Sequence, residues 1–160
     1  MVARYLDSSA LVRRYVREAG ASGLSRLLRA DLLCTSRLSA LEITSAVARR
    51  EREGVLGAAD RERILGALSQ DLERFLLVEV RDPILSRARR LLLHHALRSA
   101  DALHLASCLV VRDHLLVDVT LVAYDRHLRE AATAERIPVL PRRLAAVSRS
   151  SHRTAPRRPD

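Results

Sequence analysis

The chain reads as an α/β protein of three layers, with a mostly parallel central sheet of four to five strands covered by helices on both faces. Two features carry that reading. Short runs of consecutive apolar residues, too brief for helices, alternate with longer stretches in which apolar residues recur every three or four positions. Strands that are apolar on both sides belong in a sheet covered on both faces, and strands separated by helices run parallel. A third feature says where such a sheet would work. Four acidic residues, Asp7, Glu42, Asp101 and Asp125, each follow a strand candidate or stand near the start of a helix. Side chains at the carboxyl ends of parallel strands meet in one crevice, the usual ligand site of an open α/β sheet.

Taken in order, Val2 to Leu6 form the first strand. Asp7, Ser8 and Ser9 offer capping side chains to a helix over Ala10 to Glu18. Gly20 and Gly23 punctuate the chain, and Leu24, Leu27 and Leu28 mark the apolar face of a second helix. Leu32 to Thr35 make the next strand. A longer helix follows from about Arg37 to Glu53, with Gly54 placed to end it and Ser39 and Glu42 in capping-box spacing. Leu65, Leu68, Leu72 and Phe75 give Ala58 to Arg74 a helical period, and Phe75 to Val80 form the third strand. Asp82 and Pro83 read as a cap and a first-turn proline, opening a helix that turns Ile84, Ala88, Leu91 and Leu92 inward. Ser99 caps and starts a helix through about Val111 that is apolar almost all round, hence central and buried. Thr120 to Ala123, Asp125 to Ala134 and Ile137 to Leu140 complete the alternation as strand, helix and strand.

There is no internal repeat. The domain spans residues 1–140, and residues 141–160 form a basic tail of arginine, serine, histidine and proline, expected to be disordered after about residue 147. One hundred and sixty residues, 48% apolar and 29% charged, suit one soluble domain with a real core. No run of eighteen apolar residues predicts a membrane span, and Asp7 comes too early for a secretory signal, so a cytoplasmic location is expected. Cys34 and Cys108 lie in apolar runs and read as small buried hydrophobes.

The formal charge of +9 comes from arginine alone, since the chain has no lysine. That excludes a P-loop lysine, a Schiff-base lysine and the lysine of a phospho-receiver. Arginine's planar fork of donors suits phosphate, which favours a nucleic-acid partner, although a bias towards arginine codons explains part of the count. At 2% aromatic residues, stacking of bases on exposed rings does not dominate recognition.

Each acidic residue has a plain structural explanation when taken alone. Asp7 and Asp125 stand where N-caps stand, Glu42 completes a capping box, and Asp101 suits the positive end of its helix. Together they ask for more. Asp101 heads an apolar helix that Ser99 already caps, with no basic residue on its face and only His104 and Cys108 beside it. Carboxylates brought together without a cation raise one another's pKa, and a divalent metal removes that cost. Ligands that are all oxygen suit a hard cation such as magnesium.

The segments YLDSSALVRRY at 5–15, SALEITSAVARR at 39–50, SADALHLASCL at 99–109 and LVAYDRHLREAA at 121–132 resemble the four motif blocks of PIN-domain proteins. They are most similar to the VapC-like toxins of bacterial type II toxin–antitoxin pairs, and the resemblance runs from about residue 2 to residue 140. It implies a PIN-like three-layer α/β/α fold and an endoribonuclease that depends on Mg2+ or Mn2+. A metal-activated water would then cut RNA to leave a 5′-phosphate and a 3′-hydroxyl. The resemblance places the family's acidic residues on Asp7, Glu42, Asp101 and Asp125. Asp7 and Asp101 would be the primary metal ligands, with Glu42 and Asp125 acting through water or on a second ion. Ser9 falls on the family's small hydroxyl position and would support Asp7; with no histidine paired to it, it is not a nucleophile. The resemblance also implies a cognate antitoxin that blocks the site, and a homodimer or a toxin–antitoxin hetero-oligomer. The apolar faces of the helices at 10–30 and 37–53 are candidates for those contacts.

One position departs from the pattern: Ala123 stands where the family often has threonine or serine, two residues before the last aspartate. Asp118 precedes the strand and is a poor substitute for Asp125. Arg13, Arg14 and Arg126 lie near the blocks and are candidates for holding flanking phosphates. His104 reads as a packed core histidine, and His94 and His95 as structural or exposed. The alternative function is a catalytically inactive PIN-fold module that binds nucleic acid or protein. A receiver or phosphatase of similar architecture is disfavoured, the first by the missing lysine and the second because Ser9 stands where its second aspartate belongs.

Overall fold

A computed structural model of the chain describes residues 2–15, 30 and 32–142. Five strands form one parallel sheet: β1 (Val2–Leu6), β2 (Leu32–Ser36), β3 (Leu76–Val78), β4 (Asp118–Val122) and β5 (Val139–Leu140), in the order β3-β2-β1-β4-β5. Among the described residues, six helices connect and cover them: α1 (Ser8–Tyr15), α2 (Leu38–Arg52), α3 (Ala58–Leu72), α4 (Asp82–His94), α5 (Ser99–Leu115) and α6 (Arg126–Ala134). The helix expected around Leu24 to Leu28 and the tail from residue 143 lie outside the described residues. No helix of the described residues is long and apolar enough to cross a membrane.

Strand side chains alternate between two cores because successive residues point to opposite faces. Ala3, Tyr5, Cys34, Val119 and Leu121 pack with Ile84, Ala88 and Leu91 of α4, the buried side of α5, and Leu128, Ala131 and Ala132 of α6. Leu6 and Val122 point the other way, into a second cluster with Ala10, Leu11 and Tyr15 of α1, Ile43 and Val47 of α2, and Ile64 and Leu68 of α3. The three layers are therefore α4, α5 and α6, then the sheet, then α1, α2 and α3. Helix α5 is buried at Ala102, from His104 to Leu109 and at Val111, which accounts for its nearly unbroken apolar sequence. Cys34 and Cys108 are free and buried, as their apolar settings predict.

Several local expectations give way to tertiary partners. The capping box at Ser39 and Glu42 does not form: α2 has no side-chain cap, and the buried Ser39 hydroxyl pairs with Thr35 Oγ1 at 2.7 Å. Asp82 and Ser99 are first residues of their helices rather than caps, the N-cap positions being Arg81 and Arg98. Leu92 stays exposed on α4. Asp118 is the first residue of β4 rather than a residue before it, and stands at the end of the sheet opposite Asp125. Gly54 takes the expected role, with φ of 71° just beyond α2, a left-handed conformation that costs glycine little.

The strand order positions the site. From β1 the chain winds outward through β2 to β3, then returns to β4 on the other side of β1. Winding therefore reverses between β1 and β4, and such a switch point opens a crevice at the carboxyl ends of the strands. Asp7 follows β1 directly, and Asp125 follows β4 after Ala123 and Tyr124.

Candidate active site

Asp7 is 3% exposed at the junction of β1 and α1. Its Oδ1 accepts the Ala10 N–H at 2.9 Å, so it caps α1 as expected. The Ser9 hydroxyl lies 2.8 and 2.9 Å from its two oxygens, and Ser9 Oγ in turn accepts the Tyr124 N–H at 3.1 Å. Ser9 thus ties the end of β1 to the loop after β4. Burial pushes the Asp7 carboxyl up to about 6, over the opposing influence of the nearby His104 ring and of the Ala10 and Ser9 hydrogen bonds.

Asp125 also caps its helix, its Oδ1 accepting the Leu128 N–H at 3.0 Å. Capping occupies one oxygen and leaves Oδ2 facing Arg98, whose Nη2 stands 3.5 Å away. The same guanidinium reaches Asp101 through Nε at 3.6 Å, so Asp101 and Asp125 share one counter-ion. Burial raises the Asp101 carboxyl above its ordinary range and the charge of Asp125 adds to the rise, while Asp101 does the same to Asp7. Asp101 is thus coupled to both Asp125 and Asp7, three carboxylates distant in sequence.

Glu42 enters from α2, in the opposite layer from α5. Its Oε2 pairs with His104 Nε2 at 2.7 Å, and the Tyr5 hydroxyl stands 3.1 Å from His104 Nδ1. Glu42 also lines a cleft of about 630 Å³ between α1 and α2, with Ser8, Ser9, Arg13, Leu41 and Arg49 among its walls. Arg13 lies over the Tyr124 ring at 4.3 Å from its centre, at the edge of the site. Arg126 is further out, half-paired with Glu130 at 3.9 Å along α6 and largely solvated.

Arg14 does not face the site. Its guanidinium grips Asp71 of α3 through two nitrogens, one at 2.9 Å, and Tyr15 donates to the same carboxylate at 2.9 Å. This partly buried clamp binds α1 to α3 and takes Arg14 out of phosphate binding. Ala123 is fully buried in the apolar cluster beneath α5 and α6, so a hydroxyl there would sit in the core rather than in the crevice.

Two residues escaped the sequence reading. Arg98 is the basic neighbour that Asp101 was expected to lack. It sits at the N-cap, one residue outside the helix, so a search of the helix face passes over it. His104 was assigned to packing although it lies one turn below Asp101, and its partner Glu42 is 62 positions away, beyond the reach of any local pattern.

Among the described residues, no group of three or more His, Cys, Asp or Glu side chains forms a ready-made metal cluster. The donors at the crevice nevertheless fit a hard divalent cation. They are all carboxylates, they repel one another, and a single arginine offsets two of them. Magnesium needs only one or two direct carboxylates and keeps several waters, so a closed cage is not required.

With this fold and these four blocks in place, the chain belongs to the PIN domain family, whose pattern matches residues 4–134. It is 35% identical over 145 residues to Ribonuclease VapC45 of Mycobacterium tuberculosis, covering 88% of this chain and 96% of that protein. Its fold is similar to that of FitAcB from Neisseria gonorrhoeae, with a TM-score of 0.59 at 15% identity over 87% of this chain and 96% of that one. A toxin-antitoxin complex from Klebsiella pneumoniae contains a chain of similar fold, with a TM-score of 0.56 at 13% identity over 79% of this chain and 89% of that one.

Proposed function

We propose that the chain is a divalent-metal-dependent endoribonuclease and the toxin of a type II toxin–antitoxin pair, acting in the cytoplasm with Mg2+ or Mn2+. The observation that carries the reading is the meeting of Asp7, Asp101 and Asp125 at the β1/β4 switch point, with Glu42 drawn in through His104. The ribonuclease name of the mycobacterial relative supports the reaction, and the Klebsiella complex supports an antitoxin partner.

In this reading Asp7 and Asp101 hold the metal, and Glu42 and Asp125 act through water or on a second ion. A divalent ion held there would supply an activated water for attack on the scissile phosphate and charge to stabilise the leaving oxygen. Ser9 keeps both Asp7 oxygens oriented while bonding to the loop that carries Asp125. RNA enters along the cleft between α1 and α2, where Arg13 and Arg49 meet its phosphates, with Arg126 at the outer rim. An arginine from the antitoxin blocks the crevice by standing on the carboxylates, as a guanidinium pairs well with them. Exposed leucines on α4 and at the end of α5, Leu85, Leu92, Leu93, Leu115 and Leu116, provide apolar surface for a homodimer or hetero-oligomer.

The test is cleavage of structured RNA by purified protein freed of any partner, beside Asp7→Asn and Asp101→Asn. Magnesium-dependent cutting by the parent, abolished by chelation and in both variants, is expected. RNA binding without metal-dependent cutting would replace the enzyme with a PIN-fold binding module.

A further inference from the structure

We infer that His104 is a positioning residue, holding Glu42 at the acidic crevice through its Nε2–H while the Tyr5 hydroxyl fixes the ring that does so. The inference rests on the ribonuclease reading above and extends it to two side chains outside the four acidic positions.

His104 is 1% exposed and Tyr5 fully buried. Their rings meet edge to face, 6.0 Å between centres at 69°. A carboxylate only accepts hydrogen bonds, so the 2.7 Å contact to Glu42 requires a proton on His104 Nε2. The Tyr5 hydroxyl stands 3.1 Å from Nδ1, and in the neutral ring it donates to that nitrogen, which is left as an acceptor. The donor and acceptor roles along Tyr5, His104 and Glu42 therefore run in one direction.

The placement argues against simple packing. His104 and Tyr5 belong to the core beneath α4, α5 and α6, whereas Glu42 comes from α2 on the other face of the sheet. The His104–Glu42 bond thus crosses the carboxyl end of the sheet and joins the outer layers at the crevice. It uses Oε2 of Glu42, and the second carboxylate oxygen takes no part in it. Glu42 has three rotatable bonds on a helix edge lining an open cleft, so a fixed buried donor is what keeps it directed at the site. Hydrogen bonds of this kind to a ligating carboxylate set its orientation, and losing one costs about 10–100-fold in metal affinity or activity.

The experiment uses the full chain, Mn2+ as the probe and RNA as the substrate. Free Mn2+ is followed by electron paramagnetic resonance, and kcat and KM are measured separately. His104→Leu, confirmed as folded by circular dichroism, is expected to bind Mn2+ and turn over about 10–100-fold more weakly with KM for RNA little changed. His104→Gln, which retains an N–H donor, is expected to recover part of both. In a Glu42→Ala background, His104→Leu is expected to cost nothing further, because the two act as a pair. A folded His104→Leu with parental Mn2+ affinity and kcat overturns the inference, and so does an undiminished loss in the Glu42→Ala background. Should His104→Leu fail to fold, Tyr5→Phe removes a single oxygen and carries the test: a fall in kcat supports the inference and a parental kcat overturns it. A parent protein that neither binds Mn2+ nor cuts RNA would instead overturn the ribonuclease reading, an outcome distinct from any of these.

Discussion

Asp7 has two duties that pull against each other. It caps α1 and, in the proposed reaction, holds a metal, yet its near-complete burial raises its pKa from 3.8 to about 6. The folded protein therefore binds the proton more tightly than the unfolded chain does. In metal-free protein, the contribution of Asp7 to stability is most favourable at low pH and declines as pH rises from about 4 to about 6. Asp7→Asn keeps an oxygen for the Ala10 N–H and removes the charge, so metal-free Asp7→Asn is expected to be more stable than the parent near neutral pH, by about 2–3 kcal/mol. Thermal melts in chelator at pH 5 and pH 7 measure this. The advantage of the variant should grow with pH, and an advantage that shrinks or reverses would mean that Asp7 does not carry the cost assigned to it.

At the scale of elements, the crevice depends on clamps that do no chemistry themselves. Arg129 of α6 donates to the carbonyls of Ala123 and Leu140 at 2.7 and 3.1 Å and of Pro141 at 2.6 Å, tying the ends of β4 and β5 beside the loop that leads to Asp125. Arg129→Leu removes the side-chain donor from the Ala123 and Pro141 carbonyls, while Leu140 keeps the Ala123 N–H at 3.1 Å, and is expected to destabilise the protein by about 2–4 kcal/mol in urea unfolding. A change below about 0.5 kcal/mol, the range of an ordinary surface substitution, would contradict the assignment. Local signals were readable where no tertiary partner competes. Gly54 ends α2 and Asp125 caps α6 as their neighbours in sequence predict. They misled where a partner from another element wins: Ser39 turns to Thr35, Glu42 to His104 and Arg14 to Asp71. A capping box is worth little against a buried hydrogen bond, and nothing in the adjacent sequence announces the partners of Glu42 and Arg14, 62 and 57 positions away.

For the whole molecule, the alternation of strands and helices was legible because buried parallel strands and amphipathic helices have different periods. The order of the strands was not, since side chains pointing to both faces look the same in a central strand and its neighbour. That order decides which carboxylates meet. With β1 central and β4 beside it, Asp7 and Asp125 fall at one switch point, and α5 brings Asp101 to Asp125 through the shared contact with Arg98. His104 then reaches Glu42 across the sheet end.

The most direct measurement is the thermal melt of the parent and of Asp101→Asn with and without Mg2+. If the crevice holds the ion through Asp101, millimolar Mg2+ raises the melting temperature of the parent and leaves that of Asp101→Asn nearly unchanged, as a ligand bound only to the folded state must. Equal shifts in the two proteins, or no shift in either, would contradict it.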